Sequence, residues 1–220
     1  MDKELFNYLC GLLTEQRLQR FKNILAHRTR FITVALEDVY QMHNASAVIR
    51  SCDVFGVQDA HLIQQKYGER VDKNIAMGAQ KWVDIYRYHS ADACLSTLKN
   101  KGYRILATSP TGTSVTLNNL TLDRPTAFFF GTEKNGLSPN ILQQADATLK
   151  IPMYGFTESL NVSVSVAIVL QYARQLLQKS ADRRGLSEEE IQEKMMDWVR
   201  KSVKDADAVV ERFYLERKGE

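Results

Sequence analysis

Cysteine is scarce in this chain of 220 residues. The three present, Cys10, Cys52 and Cys94, lie far apart, and no CxxC pair occurs. That excludes a disulfide framework and a cysteine-based zinc site, and it fits the reducing cytoplasm. The four histidines, at 27, 43, 61 and 89, never stand four residues apart, so no helical metal-binding pair exists. No apolar run approaches the length needed to cross a bilayer; Ala127–Phe130 is typical of the longest. Met1-Asp2-Lys3-Glu4 lacks the basic-then-apolar layout of a signal peptide. Several nucleotide-binding signatures are missing too. There is no GxGxxG, no GxxxxGK[ST], no GxSxG, and no glycine-rich loop after the first strand.

Hydrophobic residues make up 44% and charged residues 25%, which is the balance of a folded globular chain. The net charge is only +3, but it is unevenly spread. Residues 15–30 carry Arg17, Arg20, Lys22, Arg28 and Arg30 against one acid, Glu15. The last forty residues mix nine bases with eleven acids. A basic segment is either a solvated helix face or a phosphate-binding one. Lys66, Arg70, Lys73 and Lys81 form a second basic group.

Leu5, Leu9, Leu12, Leu13, Leu18, Phe21, Ile24 and Leu25 recur at helical spacing and predict helix over 3–27. Six strands are expected, at 31–36, 60–63, 85–88, 103–108, 126–130 and 148–151. Helices should lie between them, with Asn44, Ser90 and Ser138-Pro139 as start signals and Gly56 and Gly102 as stops. Alternating strands and helices imply an α/β fold with a parallel sheet covered by helices on both faces. Residues 160–178 alternate like a strand at first but run too long for one, so a helix is predicted. Ser187 and Glu190 form a capping box that opens a last helical stretch to about Arg217, broken near Asp205.

Three segments carry chemistry. In the first, Asn44 to Gly56, the helical wheel turns Ser46, Arg50 and Asp53 away from the apolar stripe; periodicity alone makes Arg50 a solvent-facing partner of Asp53. The second, Gly131-Thr-Glu133-Lys-Asn-Gly136-Leu-Ser138, follows the buried fifth strand. It puts close backbone and one carboxylate at the sheet's C-terminal edge, where open α/β sheets bind ligands. An ordinary strand–turn–helix connection would have the same composition. The third, Ile151-Pro-Met153 through Ser159-Leu160-Asn161-Val-Ser163, supplies polar groups and free N–H donors at a helix start, or simply a cap.

Taken in order, Asn-x5-Arg, Gly-x-Glu-x2-Gly-Leu-Ser and Ile-Pro-Met with Ser-Leu-Asn-Val-Ser resemble the three motifs of the SpoU branch of the SPOUT superfamily, RNA ribose 2′-O-methyltransferases. The resemblance covers residues 31–178. Short helical extensions at both ends look most like the group that methylates tRNA guanosine. Ribosomal-RNA relatives often carry a separate N-terminal domain, and compact anticodon-modifying relatives lack long terminal helices.

The resemblance implies S-adenosylmethionine as cofactor, a homodimer, tRNA as partner with no membrane, and a C-terminal trefoil knot within the SPOUT fold. It implies three segments: a helical RNA-binding extension at 1–30, a methyltransferase domain at 31–178 and a helical extension at 179–220. The expected reaction is methyl transfer to the ribose 2′-hydroxyl of a tRNA nucleoside, foremost the D-loop guanosine at position 18. Another RNA nucleoside as acceptor, or an inactive RNA-binding protein of the same fold, are the alternatives. Thr108, Gly131, Ile151, Met153 and Leu160 match cofactor-holding positions, and Phe129, Phe130 and Leu160 offer apolar surface to adenine. Arg50 matches the catalytic arginine, and Asn44, Glu133, Ser159 and Asn161 the other polar motif residues. A guanidinium is a poor base in water. Arg50 is therefore either a base whose charge burial suppresses or a cation that stabilises the forming alkoxide and fixes the phosphate. Arg17, Arg20, Lys22, Arg28 and Arg30 are the expected phosphate contacts, and no metal is implied.

Overall fold

A computed structural model describes residues 2–39, 42–64, 78–111, 114–179 and 184–218. The chain forms two compact units. One is Thr29–Arg184; the other joins Met1–Arg28 to Gly185–Glu220. The two terminal extensions, separate in sequence, thus build one helical unit. Among the described residues no helix is long and apolar enough to cross a membrane.

In the central unit the strands are β1 (Ile32–Glu37), β2 (Asp59–Ile63), β3 (Asp84–Tyr88), β4 (Arg104–Thr108), β5 (Val115–Thr116), β6 (Thr126–Phe130) and β7 (Ala147–Lys150). They form one sheet in the order β3-β2-β1-β6-β4-β7-β5, and every pairing is parallel. The two-residue edge strand β5 lay below the length that sequence patterning detects. The six expected strands are present to within a residue or so.

Strand β6 is central and buried throughout, as its unbroken apolar run requires. Its side chains alternate between faces. Phe128 and Phe130 join a core built with α3 (Met42–Val54) and α6 (Val162–Lys179). Ala127 and Phe129 join a second core with α4 (Ala91–Asn100) and α5 (Pro139–Gln144). Phe129 therefore points away from the face that Phe130 serves, and it offers no surface to an adenine there. Ser90 caps α4 through Ala93 N at 3.2 Å.

Asn44 does not cap α3. That helix already runs from Met42, and Asn44 sits buried in its first turn. Ser46, expected to face outward, is buried as well. On the sheet's other flank His61 is buried, hydrogen-bonded to Tyr88 Oη at 3.0 Å and stacked on Tyr86 at 5.1 Å. Burial pushes its imidazole down to about 4, helped by nearby Lys101.

In the terminal unit the predicted helix over 3–27 is two helices, α1 (Lys3–Gly11) and α2 (Glu15–Leu25). Thr14 opens the second by accepting from Arg17 N at 3.3 Å. The capping box of Ser187 and Glu190 starts α7 (Glu188–Arg200). Asp205, in a left-handed conformation, precedes α8 (Ala206–Lys218). The unit closes around Phe21 edge-on to Trp198 at 5.7 Å and Tyr8 against Phe213 at 5.0 Å.

Candidate active site

The C-terminal ends of β4, β6 and β7 open into one cavity of about 380 Å³. A parallel sheet puts its loops there, which is why ligand sites of such folds form at that edge. Thr108 ends β4, and its hydroxyl donates to Phe129 O at 2.8 Å, tying two of the strands at the rim. Phe130, Leu137, Leu149, Ile151 and Val162 give the floor an apolar lining. Thr132, Glu133, Lys134, Asn135 and Ser159 bring polar groups. Mostly apolar walls with a few convergent polar groups, at this volume, suit a small-molecule cofactor.

The wall at 131–138 is held in one shape. Thr132 and Gly136 exchange backbone hydrogen bonds at 3.1 and 2.9 Å, and Asn135 N donates to Thr132 Oγ1 at 3.0 Å. Gly136 takes φ +65°, which favours glycine. Gly131 is required for a different reason. A Cβ there would lie 2.1 Å from Gly136 C and O and 2.3 Å from Leu137 N, all backbone atoms. After the turn, Ser138 N donates to the buried carboxylate of Glu37 at 2.7 Å, so an acid from the end of β1 anchors the start of α5.

Three motif residues from three distant segments meet beside this wall. Asn161 Nδ2 donates to Glu133 Oε1 at 2.6 Å and to Asn44 Oδ1 at 3.1 Å. Asn44 Nδ2 donates to the same Glu133 oxygen at 3.1 Å. Asn161 Oδ1 accepts from Ser163 N at 2.8 Å and Ser163 Oγ at 2.5 Å. Both protons and both lone-pair directions of the Asn161 amide are therefore used, which fixes its orientation. The cluster links the start of α3, the 131–138 turn and the start of α6.

The sequence-predicted residues divide into groups. Thr108, Gly131, Ile151, Met153 and Leu160 all line the cavity, as do Glu133 and Ser159. Asn44 and Asn161 join Glu133 as described. Arg50 is exposed on α3 and is not among the residues lining the cavity of its own chain. Ser109, Thr111, Thr132, Lys134 and Asn135 line the cavity without having been singled out. Their signal was position: each closely follows a strand at the sheet's C-terminal edge.

Of the expected phosphate contacts, Arg17, Arg20 and Lys22 are exposed on α2. Arg28 is not available for that role: it is 1% exposed, with its guanidinium 5.4 Å from the centre of the Trp198 ring. Arg30 is likewise committed internally, to Asp59 at 3.0 Å and Asp84 at 2.9 Å. Burial lifts the Asp59 carboxyl above its ordinary range even though Arg30 pulls it down. A basic residue next to a strand start serves buried acids as readily as it serves phosphate, and composition does not tell these apart. Lys66, Arg70 and Lys73 lie outside the described residues; Lys81 is exposed.

The model of the SpoU rRNA Methylase family matches residues 31–171. The tRNA (guanosine(18)-2′-O)-methyltransferase of Borreliella burgdorferi is 39% identical over 197 residues, 90% of each chain. The crystal structure of the A. aeolicus TrmH/SpoU tRNA modifying enzyme superposes with a TM-score of 0.78. It is 34% identical, with 86% of this chain and 98% of that one covered. The AdoMet-bound rRNA methyltransferase of Sinorhizobium meliloti gives 0.62 at 25% identity, over 69% of this chain and 58% of that one. With one polar residue from each of its three motifs joined beside the cavity and a family match over most of its length, this chain belongs to the SpoU rRNA Methylase family.

Proposed function

We propose that the chain transfers a methyl group from S-adenosylmethionine to the ribose 2′-hydroxyl of guanosine 18 in tRNA. The observation that carries this is the joining of Asn44, Glu133 and Asn161 at the wall of a cavity lined by all five expected cofactor positions. The similarity to curated tRNA guanosine-18 enzymes over nearly the whole chain directs the reading to that nucleoside. Incubation with bulk tRNA and labelled S-adenosylmethionine, followed by mapping of the labelled nucleoside, tests it. Label in 2′-O-methylguanosine of the D-loop is the expected result.

S-adenosylmethionine supplies an electrophilic methyl group when bound. The residues present fit it. Phe130, Leu160 and Ile151 offer apolar surface for a purine, and Thr108 and Gly131 offer backbone polar groups at close approach. Glu133, held by two amides, fixes the polar side of the cavity. The chain contributes mainly positioning, which in favourable cases is worth about 7–11 kcal/mol. Exposed on its own chain, Arg50 acts in this reading as a cation that meets the acceptor ribose and stabilises the oxygen as its proton leaves.

The same reading includes a homodimer. Arg50 is exposed and does not line the cavity of its own chain; in this reading it meets the acceptor ribose at the cavity of a partner copy. Val54, Tyr154 and Phe156 are large apolar side chains 75% to fully exposed on the single chain, which an interface would cover. Most apolar side chains of α6 pack onto their own sheet, so α6 contributes to an interface mainly through exposed positions such as Val164. Light scattering at micromolar concentration should give twice the mass of the chain; a monomer would contradict this. We also propose the trefoil knot. Its support is the strand order, with β6 inserted between β1 and β4 and β7 between β4 and β5, while α6 after β7 packs back on α3.

Arg17, Arg20 and Lys22 are the remaining candidates for binding tRNA phosphates at the N-terminal end. Replacing all three by Ala should raise the KM for tRNA and flatten the salt dependence of binding, by about 0.7–0.9 in log–log slope for each phosphate no longer neutralised. Binding of S-adenosylmethionine should be unchanged. A slope equal to that of the unmodified protein would assign these residues to solvation alone.

A further inference from the structure

Lys134 is the one cation among the described residues that line the cavity. It makes no hydrogen bond or ion pair with any described residue, and it is exposed. A solvated lysine on an open loop would need no further account, but this one sits in a hydrogen-bonded turn. Its backbone belongs to the turn locked by the Thr132–Gly136 pair and by the tight approach of Gly131 to Gly136. It directly follows Glu133, whose carboxylate is held by Asn44 and Asn161. A cationic side chain is thus presented from a fixed point at the mouth of the site, beside a carboxylate already engaged by neutral partners.

The acceptor chemistry says what such a cation meets. In RNA the 2′-oxygen and the 3′-phosphate sit on adjacent carbons of one ribose. Any geometry that brings the 2′-oxygen to the mouth of a cavity holding the methyl donor brings that phosphate to the mouth with it. Glu133 alone would repel the phosphate; a lysine next to it removes the repulsion and adds a charge-assisted hydrogen bond. We propose that Lys134 binds the phosphodiester on the 3′ side of the nucleotide being methylated, and so sets the acceptor ribose against the donor. The inference rests on the reading of an RNA ribose as the acceptor.

The full-length protein carries the test. K134A should raise the KM for tRNA about tenfold and lower the salt slope of tRNA binding by about the 0.7–0.9 of one phosphate, while K134R restores most of the loss. The decisive arm uses a ligated full-length tRNA in which the phosphate 3′ to guanosine 18 is a neutral methylphosphonate. On that substrate the unmodified protein and K134A should perform alike, because the partner of Lys134 is gone. If K134A stays tenfold worse there, its partner is a different group and the proposal fails. It fails equally if K134A weakens S-adenosylmethionine but not its decarboxylated analogue, because Lys134 would then hold the cofactor's carboxylate. Unchanged kinetics on both tRNAs also overturn it. A wild-type protein that methylates no RNA would instead sink the acceptor reading itself, a separate outcome.

Discussion

Replacing Arg50 by Ala should lower methyl transfer to tRNA by about 10²–10⁴-fold, the range seen when a group acting on the transferred proton or developing charge is removed. The affinity for S-adenosylmethionine should change less than twofold or so. The separation follows from geometry. Arg50 is exposed on α3, outside the lining of its own chain's cavity, while the expected cofactor positions all lie within that lining. Surface substitutions of this kind are close to neutral for folding, within about 0.5 kcal/mol, so the loss should appear in the rate and not in the melting temperature. Single-turnover rates and calorimetric titration of the cofactor measure the two halves. Activity within a few-fold of the unmodified protein would remove Arg50 from the mechanism and leave it as the solvent-facing residue that helical periodicity alone suggests.

Gly131→Ala should have the opposite signature, with cofactor affinity lost first. The added methyl would stand 2.1 Å from two backbone atoms of Gly136. Backbone cannot yield as the end of a long side chain can. Relief requires breaking the Thr132–Gly136 pair, and with it the wall that carries Glu133 and Lys134. Overpacking of this kind costs typically about 1–3 kcal/mol in stability. If that cost falls on the wall, S-adenosylmethionine should bind about 5- to 100-fold more weakly, at about 1.4 kcal/mol per tenfold. Gly155→Ala serves as the control, since a Cβ at Gly155 meets nothing within 4 Å. Similar cofactor affinities for the two variants would show that the close approach at Gly131 does not shape the site.

The fold was legible where burial and periodicity agree. The run Thr126–Phe130 could only be a central strand, and β6 occupies those residues. Ser90, Ser187 with Glu190, and Ser138-Pro139 each mark the start of a helix. The errors have physical reasons. Asn44 has the residue type of a cap, but its amide is spent on Glu133 and Asn161, partners 89 and 117 residues away that no local pattern encodes. The break between α1 and α2 was hidden because leucines continue at helical spacing through Leu12 and Leu13; Thr14 marks the restart. Arg28 and Arg30 look like their exposed neighbours on α2, yet one is buried against Trp198 and the other serves Asp59 and Asp84. Pairing of the two chain ends into one helical unit was likewise invisible, since it depends on aromatic packing such as Tyr8 against Phe213.

The candidate site was legible through its motifs more than through its chemistry. Gly131, Glu133, Ser159 and Asn161 were readable as residue types at a sheet edge, and the cavity gathers them or their partners. Lys134 was not, because a lysine in a turn is ordinary until a cavity is found beside it. The apolar floor shows the limit of reading side chains in a run: Phe129 and Phe130 are adjacent in sequence, but only Phe130 reaches the cavity.

The central claim is that one ribose hydroxyl of tRNA is the methyl acceptor. Two full-length transcripts differing by a single oxygen test it most directly, one with guanosine at position 18 and one with 2′-deoxyguanosine there. With labelled S-adenosylmethionine and purified protein, the account predicts close to one methyl group per molecule on the first transcript and none on the second. Equal labelling of both would place the methyl elsewhere on the RNA and contradict it.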